Sequence, residues 1–224
     1  MSVSQVLRGC LLFGIIPLLM AVKQGAEKPP PAVAAKLCQS CHGAHGEGTP
    51  AAGIPRLAGQ SADYLDKQLR DYAGGSRENA IMHQWAIQLK DAERAEVAAY
   101  YASLASPYAV VQANNAAPAG NASTPVLLAR GHQLAHQGDE TRRVQACDNC
   151  HGPDGNGAPR TAPYIAGQSA QYLTASLRAW KEGTRKNDDG EQMRSVVDRL
   201  NDADIGAIAA YFSSLAASQN SGSR

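Results

Sequence analysis

The stretch Cys38-Gln39-Ser40-Cys41-His42 decides the reading of this chain, because it returns 109 residues later as Cys147-Asp148-Asn149-Cys150-His151. Two thiols three residues apart can add to the two vinyl groups of one porphyrin. The adjacent histidine then lies beneath the macrocycle, in reach of its iron. Two such runs predict two covalently bound haem c groups, tethered by Cys38, Cys41, Cys147 and Cys150, with His42 and His151 on the irons. Zinc sites pair two Cys-x-x-Cys runs about 15–20 residues apart, far from the spacing here. A thioredoxin-type redox pair expects a strand leading into a helix, and the surrounding pattern is helical.

Outward from these motifs the likeness continues. Gly46-Glu47-Gly48 answers Gly155-Asn156-Gly157, and Leu57-Ala58-Gly59-Gln60-Ser61-Ala62 answers Ile165-Ala166-Gly167-Gln168-Ser169-Ala170. Tyr64-Leu65 answers Tyr172-Leu173, and the run from Ala98 to Leu104 answers that from Ala209 to Leu215. This is a duplicated domain, not a short-period solenoid. The Ala-, Asn-, Pro- and Gly-rich stretch 106–125 reads as a linker. The expected division is a first domain at 27–105, a second at 126–217 and a disordered tail at 218–224.

The fifth cysteine, Cys10, opens an apolar run to Val22 that follows Arg8. Its length fits the apolar region of a secretory signal and is short for a membrane span. Residues 1–26 are read as a signal peptide, with a retained N-terminal anchor as the alternative. Leu7-Arg8-Gly9-Cys10 is not read as a lipoprotein site, because the apolar run follows the cysteine. Export to the periplasm agrees with haem attachment, which occurs outside the cytoplasm. Net charge is +1, and charges balance in each half: 8 basic and 8 acidic residues from Lys28 to Glu96, and 11 and 11 from Arg130 to Arg224. No basic face for nucleic acid is present in such a pattern.

Each copy reads as helices joined by long loops, so the fold class is all-α. First helices are expected over 34–41 and 126–137, and second helices over 62–72 and 170–181. Val97, Tyr101 and Leu104, and Ile205, Ile208, Phe212 and Leu215, have the spacing of one helical face. Asn201 with Asp204 three residues on resembles a capped start. Lys90 stands in the matching place and caps poorly, so that helix is expected to begin a residue later in its own copy, at Asp91. Aromatic residues are 5% of the chain, and Phe212 is the only phenylalanine beyond Phe13. Domains this small struggle to bury enough apolar surface. The haem is therefore expected to form part of each core, as structural zinc does in small zinc domains.

A proximal histidine leaves the sixth iron position to be filled. The four methionines are Met1 and Met20, in the signal, and Met82 and Met193, one per copy. The latter two lie 40 and 42 residues beyond their motif histidines, and each precedes a leucine, Leu89 or Leu200, by seven. Both are assigned as axial ligands, although a single methionine is more often core filling. His/Met ligation raises the potential relative to His/His, and a filled site argues against small-molecule catalysis. His83 adjoins Met82 but is matched by Arg194 in the second copy, and His45 is matched by Asp154; both are read as surface residues. His132 and His136, four apart on an expected helix, are read as a solvated face.

With these residues in place, the chain resembles the tandem di-haem cytochromes of the cytochrome c-four type, built of two class I cytochrome c domains. The resemblance covers about 32–216 and rests on the two haem motifs, the Ala-Gly-Gln segments, the two methionines and the final Ala-Ala-Tyr helices. It implies that Pro55 and Pro163, 13 and 12 residues beyond the histidines, offer backbone carbonyls to the proximal imidazoles. It also implies close packing of the two haems and a carrier role in the periplasm, between a quinol-oxidising complex and a terminal oxidase. The first copy departs from the pattern with Pro29-Pro30-Pro31 where a longer first helix is expected. The second departs with the polar run Asn187-Asp188-Asp189-Gly190 before Met193.

The leading expectation is a soluble electron carrier with no catalytic residue of its own. A peripheral association with a membrane surface is compatible with it. One alternative is the electron-accepting subunit of a dehydrogenase. Another is a di-haem enzyme of the peroxidase or thiosulfate-oxidising type, which would need an iron with an open or unusual ligand.

Overall fold

The computed structural model describes residues 29–104, 124–157 and 162–215. The expected signal (1–26), nearly all of the linker (106–125) and the tail (218–224) lie outside the described residues. Among those described, every regular element is a helix, and β-pairing is limited to isolated bridges. The fold is all-α, in two tandem halves.

The first half contains α1 (Ala32–Leu37), α2 (Gln39–His42), α3 (Ala62–Gly74), α4 (Ala80–Ala86) and α5 (Asp91–Ser103). The second contains α6 (Pro125–His136), α7 (Asp148–His151), α8 (Ala170–Lys181), α9 (Gln192–Val197) and α10 (Asp202–Ser214). Helix starts are encoded locally. Ser61 and Ser169 cap α3 and α8 by accepting the N–H groups of Tyr64 and Tyr172. Thr124 caps α6, with Pro125 in the first turn, where its missing N–H costs nothing.

One expectation needs correction. The first helix of the first half is broken at Cys38 into α1 and α2, and His42 at the end of α2 is buried. Helix α5 begins at Asp91, as expected. Lys90 is its N-cap as Asn201 is that of α10, and Glu93 accepts the Lys90 N–H as Asp204 accepts that of Asn201. The two methionines sit on short helices of their own, α4 and α9, which periodicity did not reveal.

In each half the last helix packs across the first. In the second half Gly131 of α6 meets α10 so closely that a Cβ there would overlap the carbonyl oxygen of Ala207 and the Cβ of Tyr211. Leu134, Val197, Ile205 and Phe212 are fully buried around this crossing. At about 1.5–3 kcal/mol for each large apolar side chain removed from water, they stabilise it substantially. In the first half Ala34, Leu65, Val97, Tyr101 and Leu104 play the same part. A left-handed glycine after each haem motif, Gly46 or Gly155, lets the chain turn under the ring of Tyr101 or Phe212. Its carbonyl then accepts the paired N–H groups of Leu57 and Ala58, or of Ile165 and Ala166. No helix among the described residues is long and apolar enough to cross a membrane.

Candidate functional site: two haem sites on one cavity

Helices α2 and α7 are single turns that hold Cys41 and His42, and Cys150 and His151, with Cys38 and Cys147 at their N-caps. His42 is buried, and its Nδ1 lies 2.9 Å from the Pro55 carbonyl oxygen; His151 is buried, and its Nδ1 lies 2.9 Å from that of Pro163. A carbonyl can only accept, so Nδ1 carries the proton in both rings and Nε2 keeps its lone pair. Burial pushes both imidazoles below the usual histidine range, against the upward pull of the proline carbonyls, so both are neutral at neutral pH. Burial likewise pushes the Cys38 thiol up to about 11 and that of Cys147 to about 12.

The methionines come from separate short helices, α4 and α9. Asn79 caps α4 by accepting the Met82 N–H at 2.9 Å, and Asp188 accepts the Met193 N–H at 2.6 Å. These two bonds fix the start of each short helix and with it the methionine's place. All eight motif residues, Cys38, Cys41, His42 and Met82 with Cys147, Cys150, His151 and Met193, line one continuous cavity of about 1230 Å³ that spans both halves. Its chemistry fits two haems: paired thiols, a neutral imidazole with a free nitrogen and a thioether on each side.

The wall between the halves was not anticipated. Arg77 and Arg185 face each other in an isolated antiparallel bridge, and both line the cavity. Arg77 donates to Gln68 at 2.7 Å and to the Tyr172 hydroxyl at 3.0 Å; Arg185 donates to Tyr64 and Gln68, each at 3.3 Å. Each guanidinium also lies over an aromatic ring, Tyr72 or Trp180. Gln68, Tyr64 and the two rings carry no charge to offset the guanidiniums, so this wall offers positive charge of the kind that haem carboxylates would require. Burial acts to raise the Tyr172 phenol, yet Arg77 and Arg185 outweigh it and hold the group below the ordinary phenol range. The matched places of the two arginines, 108 residues apart within the repeat, were the sequence signal for this wall.

The other histidines sort differently. His83 is exposed, with Nδ1 2.7 Å from the Tyr72 carbonyl oxygen, and His45 is exposed, with its backbone N–H on Glu47. His136 is not on a solvated face. It is half-buried, pairs with Asp148 of the haem motif at 2.6 Å and lies 2.8 Å from the Tyr211 hydroxyl. His132 stacks beside it with ring centroids 4.3 Å apart. No group of three or more histidine, cysteine or acidic side chains among the described residues could hold a metal ion.

The family model for cytochrome c matches residues 31–105 and again 128–216. The chain belongs to the cytochrome c family. This cytochrome is 40% identical over 193 residues to a thiosulfate dehydrogenase electron acceptor from Stutzerimonas stutzeri, covering 86% of the chain and 83% of that relative. Among solved structures, it matches reduced cytochrome c4 from Pseudomonas stutzeri with a TM-score of 0.69 at 31% identity, over 81% of the chain and 94% of that structure. It also matches a thiosulfate dehydrogenase (TsdBA) from Marichromatium purpuratum, with a TM-score of 0.68 at 38% identity over 80% of the chain. The match covers 36% of that longer protein. The chain is a di-haem cytochrome of the cytochrome c4 type, carries two covalently bound haem c groups and moves electrons.

Proposed function

We propose that this cytochrome is the periplasmic electron acceptor of a thiosulfate-oxidising dehydrogenase and relays the electrons onward to a terminal acceptor. In this reading Cys38 and Cys41 tether the first haem, and Cys147 and Cys150 the second. His42 and Met82 ligate the first iron, and His151 and Met193 the second. The observation that supports the reading is that each half brings an imidazole, a thioether and a pair of thiols to a single cavity. With haems bound, each iron would change valence without exchanging ligands, and the helices that carry the histidines and methionines would have little to rearrange on electron transfer. A haem-bound iron with both axial positions filled passes electrons and leaves no site for a substrate. A two-electron oxidation at the dehydrogenase would supply one electron for each of the two haems.

The named role of the 40%-identical relative favours a dehydrogenase over a quinol-oxidising complex as the electron source. The test is stopped-flow reduction of the oxidised holoprotein. Thiosulfate with a thiosulfate dehydrogenase is expected to reduce both haems rapidly, and thiosulfate alone to leave them oxidised. Reduction by thiosulfate alone would make the protein an enzyme. Reduction by a quinol-oxidising complex, with none by the dehydrogenase, would restore the quinol-to-oxidase carrier.

A further inference from the structure

The two halves are joined by a reciprocal pair of glutamine clamps. Gln60 of the first half accepts the Tyr164 N–H on Oε1 at 2.9 Å and donates from Nε2 to the Tyr164 carbonyl at 3.0 Å. Gln168 of the second half does the same to Arg56, accepting its N–H at 3.0 Å and donating to its carbonyl at 3.1 Å. Both glutamines are buried, at 4% and 3% exposure. Both also accept the N–H of the next residue, Ser61 or Ser169, which caps the following helix.

The clamped residues are not arbitrary. Tyr164 follows Pro163, so its N–H and the Pro163 carbonyl belong to one peptide group. That carbonyl is the acceptor for His151. Arg56 likewise follows Pro55, whose carbonyl is the acceptor for His42. Both peptides are trans, so the C=O and N–H point in opposite directions. A continuous chain results: His151 Nδ1–H to the Pro163 carbonyl, through one peptide plane, then Tyr164 N–H to Oε1 of Gln60. Its mirror image runs from His42 to Gln168. Hydrogen bonds in such a chain polarise one another, most strongly where water is excluded.

We propose that each glutamine is a positioning residue for the haem of the opposite half, tuning that haem's potential through the shared peptide group. When Gln60 accepts from the Tyr164 N–H, electron density moves to the Pro163 oxygen. The stronger acceptor draws the Nδ1 proton of His151, making the imidazole a better donor to iron. A more basic imidazole stabilises the ferric state and lowers the potential. Each haem's potential therefore depends on the partner half being docked. This inference rests on the assignment of His42 and His151 as iron ligands.

The test uses the holoprotein and two readouts. One is the midpoint potential of each haem, assigned to its half by nuclear magnetic resonance. The other is the Nδ1 proton resonance of each ligand histidine in the reduced, diamagnetic protein. Gln60→Leu is expected to raise the second haem's potential and leave the first unchanged. The ferric–ferrous equilibrium should move about twofold to fourfold, or about 20–35 mV, with an upfield shift at His151. Gln168→Leu should do the converse at the first haem and His42. Gln60→Glu keeps an acceptor oxygen and strengthens it, so the His151 resonance should move downfield. Lys67→Ala removes a different contact between the halves, the 2.7 Å bond to the Asn187 carbonyl, and should reproduce neither pattern. Unmoved potentials, equal movement of both haems, or movement only of the haem in the mutated half would each overturn the proposal. An unmodified protein without low-spin, imidazole-ligated iron would instead overturn the ligand assignment on which it rests.

Discussion

Arg77 and Tyr172 belong to opposite halves of the chain, and Nη2 of the first donates to the hydroxyl of the second across 3.0 Å. The matching pair, Arg185 and Tyr64, closes a pseudo-twofold exchange over the cavity that both halves share. Arg77 is buried, and a buried cation is costly unless it is well paired. Its retention here makes sense if the cavity's occupants are anionic at their edges.

Replacing Arg77 with leucine removes a fixed positive charge beside the haem sites. A nearby cation opposes the extra positive charge of ferric iron, so its loss favours oxidation. Potentials in Arg77→Leu should fall, by about 60 mV for each tenfold change in the ferric–ferrous equilibrium. Spectroelectrochemical titration checks this. A rise in potential would mean that the guanidinium does not act on the irons as a charge.

The crossing of α6 and α10 makes a separate prediction. Gly131→Ala places a methyl group against the Ala207 backbone, and backbone cannot swing aside as a flexible side chain can. Overpacking of this kind costs about 1–3 kcal/mol, and each kilocalorie lowers the melting temperature of a domain this size by about 4–8 °C. Hydrogen exchange should show the loss concentrated in 124–215, with the first half protected as before.

What the sequence could and could not disclose divides along sequence distance. Cysteine spacing and an adjacent histidine are local chemistry, so the haem count and the motif residues on the cavity wall were readable at once. The helix cap at Asn201 acts over three residues and was similarly open to reading. The helices around Met82 and Met193 were not, because six or seven residues with mixed polarity carry no usable period. Gln60 and Arg77 also reach Tyr164 and Tyr172, more than 90 residues away. Only docking of the halves gives those side chains meaning; the recurrence of Gln168 and Arg185 marks them without saying what they touch. His136 escaped for a related reason, since its partner Asp148 reaches it only once α6 lies against the haem motif.

Acid sensitivity should centre on Asp204, which is buried and accepts from Arg142 at 2.5 Å and Arg130 at 3.0 Å. Burial acts to raise its carboxyl, but Arg142, the Asn201 N–H and Arg130 prevail and hold it below the usual carboxylate range. A depressed folded-state value means that the carboxylate stabilises the second half at pH values above its unfolded pKa of about 3.9. That stabilisation is lost as pH falls below this value. Asp204→Asn should therefore cost about 2 kcal/mol near neutrality. Denaturant midpoints of parent and variant should converge on acidification. A gap that stays constant down to the acid limit would assign the effect to packing and not to charge.

Met193→His tests the sulfur on the second iron. An imidazole is a harder and stronger donor than a thioether and favours the ferric state. The second haem's potential should fall by more than about 60 mV, a tenfold shift in its equilibrium, and its visible spectrum should change to that of bis-imidazole iron. The first haem, served by Met82 on its own helix, should keep both its potential and its spectrum. The Asp188 bond to the residue 193 N–H is a backbone contact, so the exchange need not disturb the start of α9. If both potentials and both spectra stayed at parental values, the side chain at position 193 would not be on iron. Some other donor facing the cavity would then have to fill the sixth position.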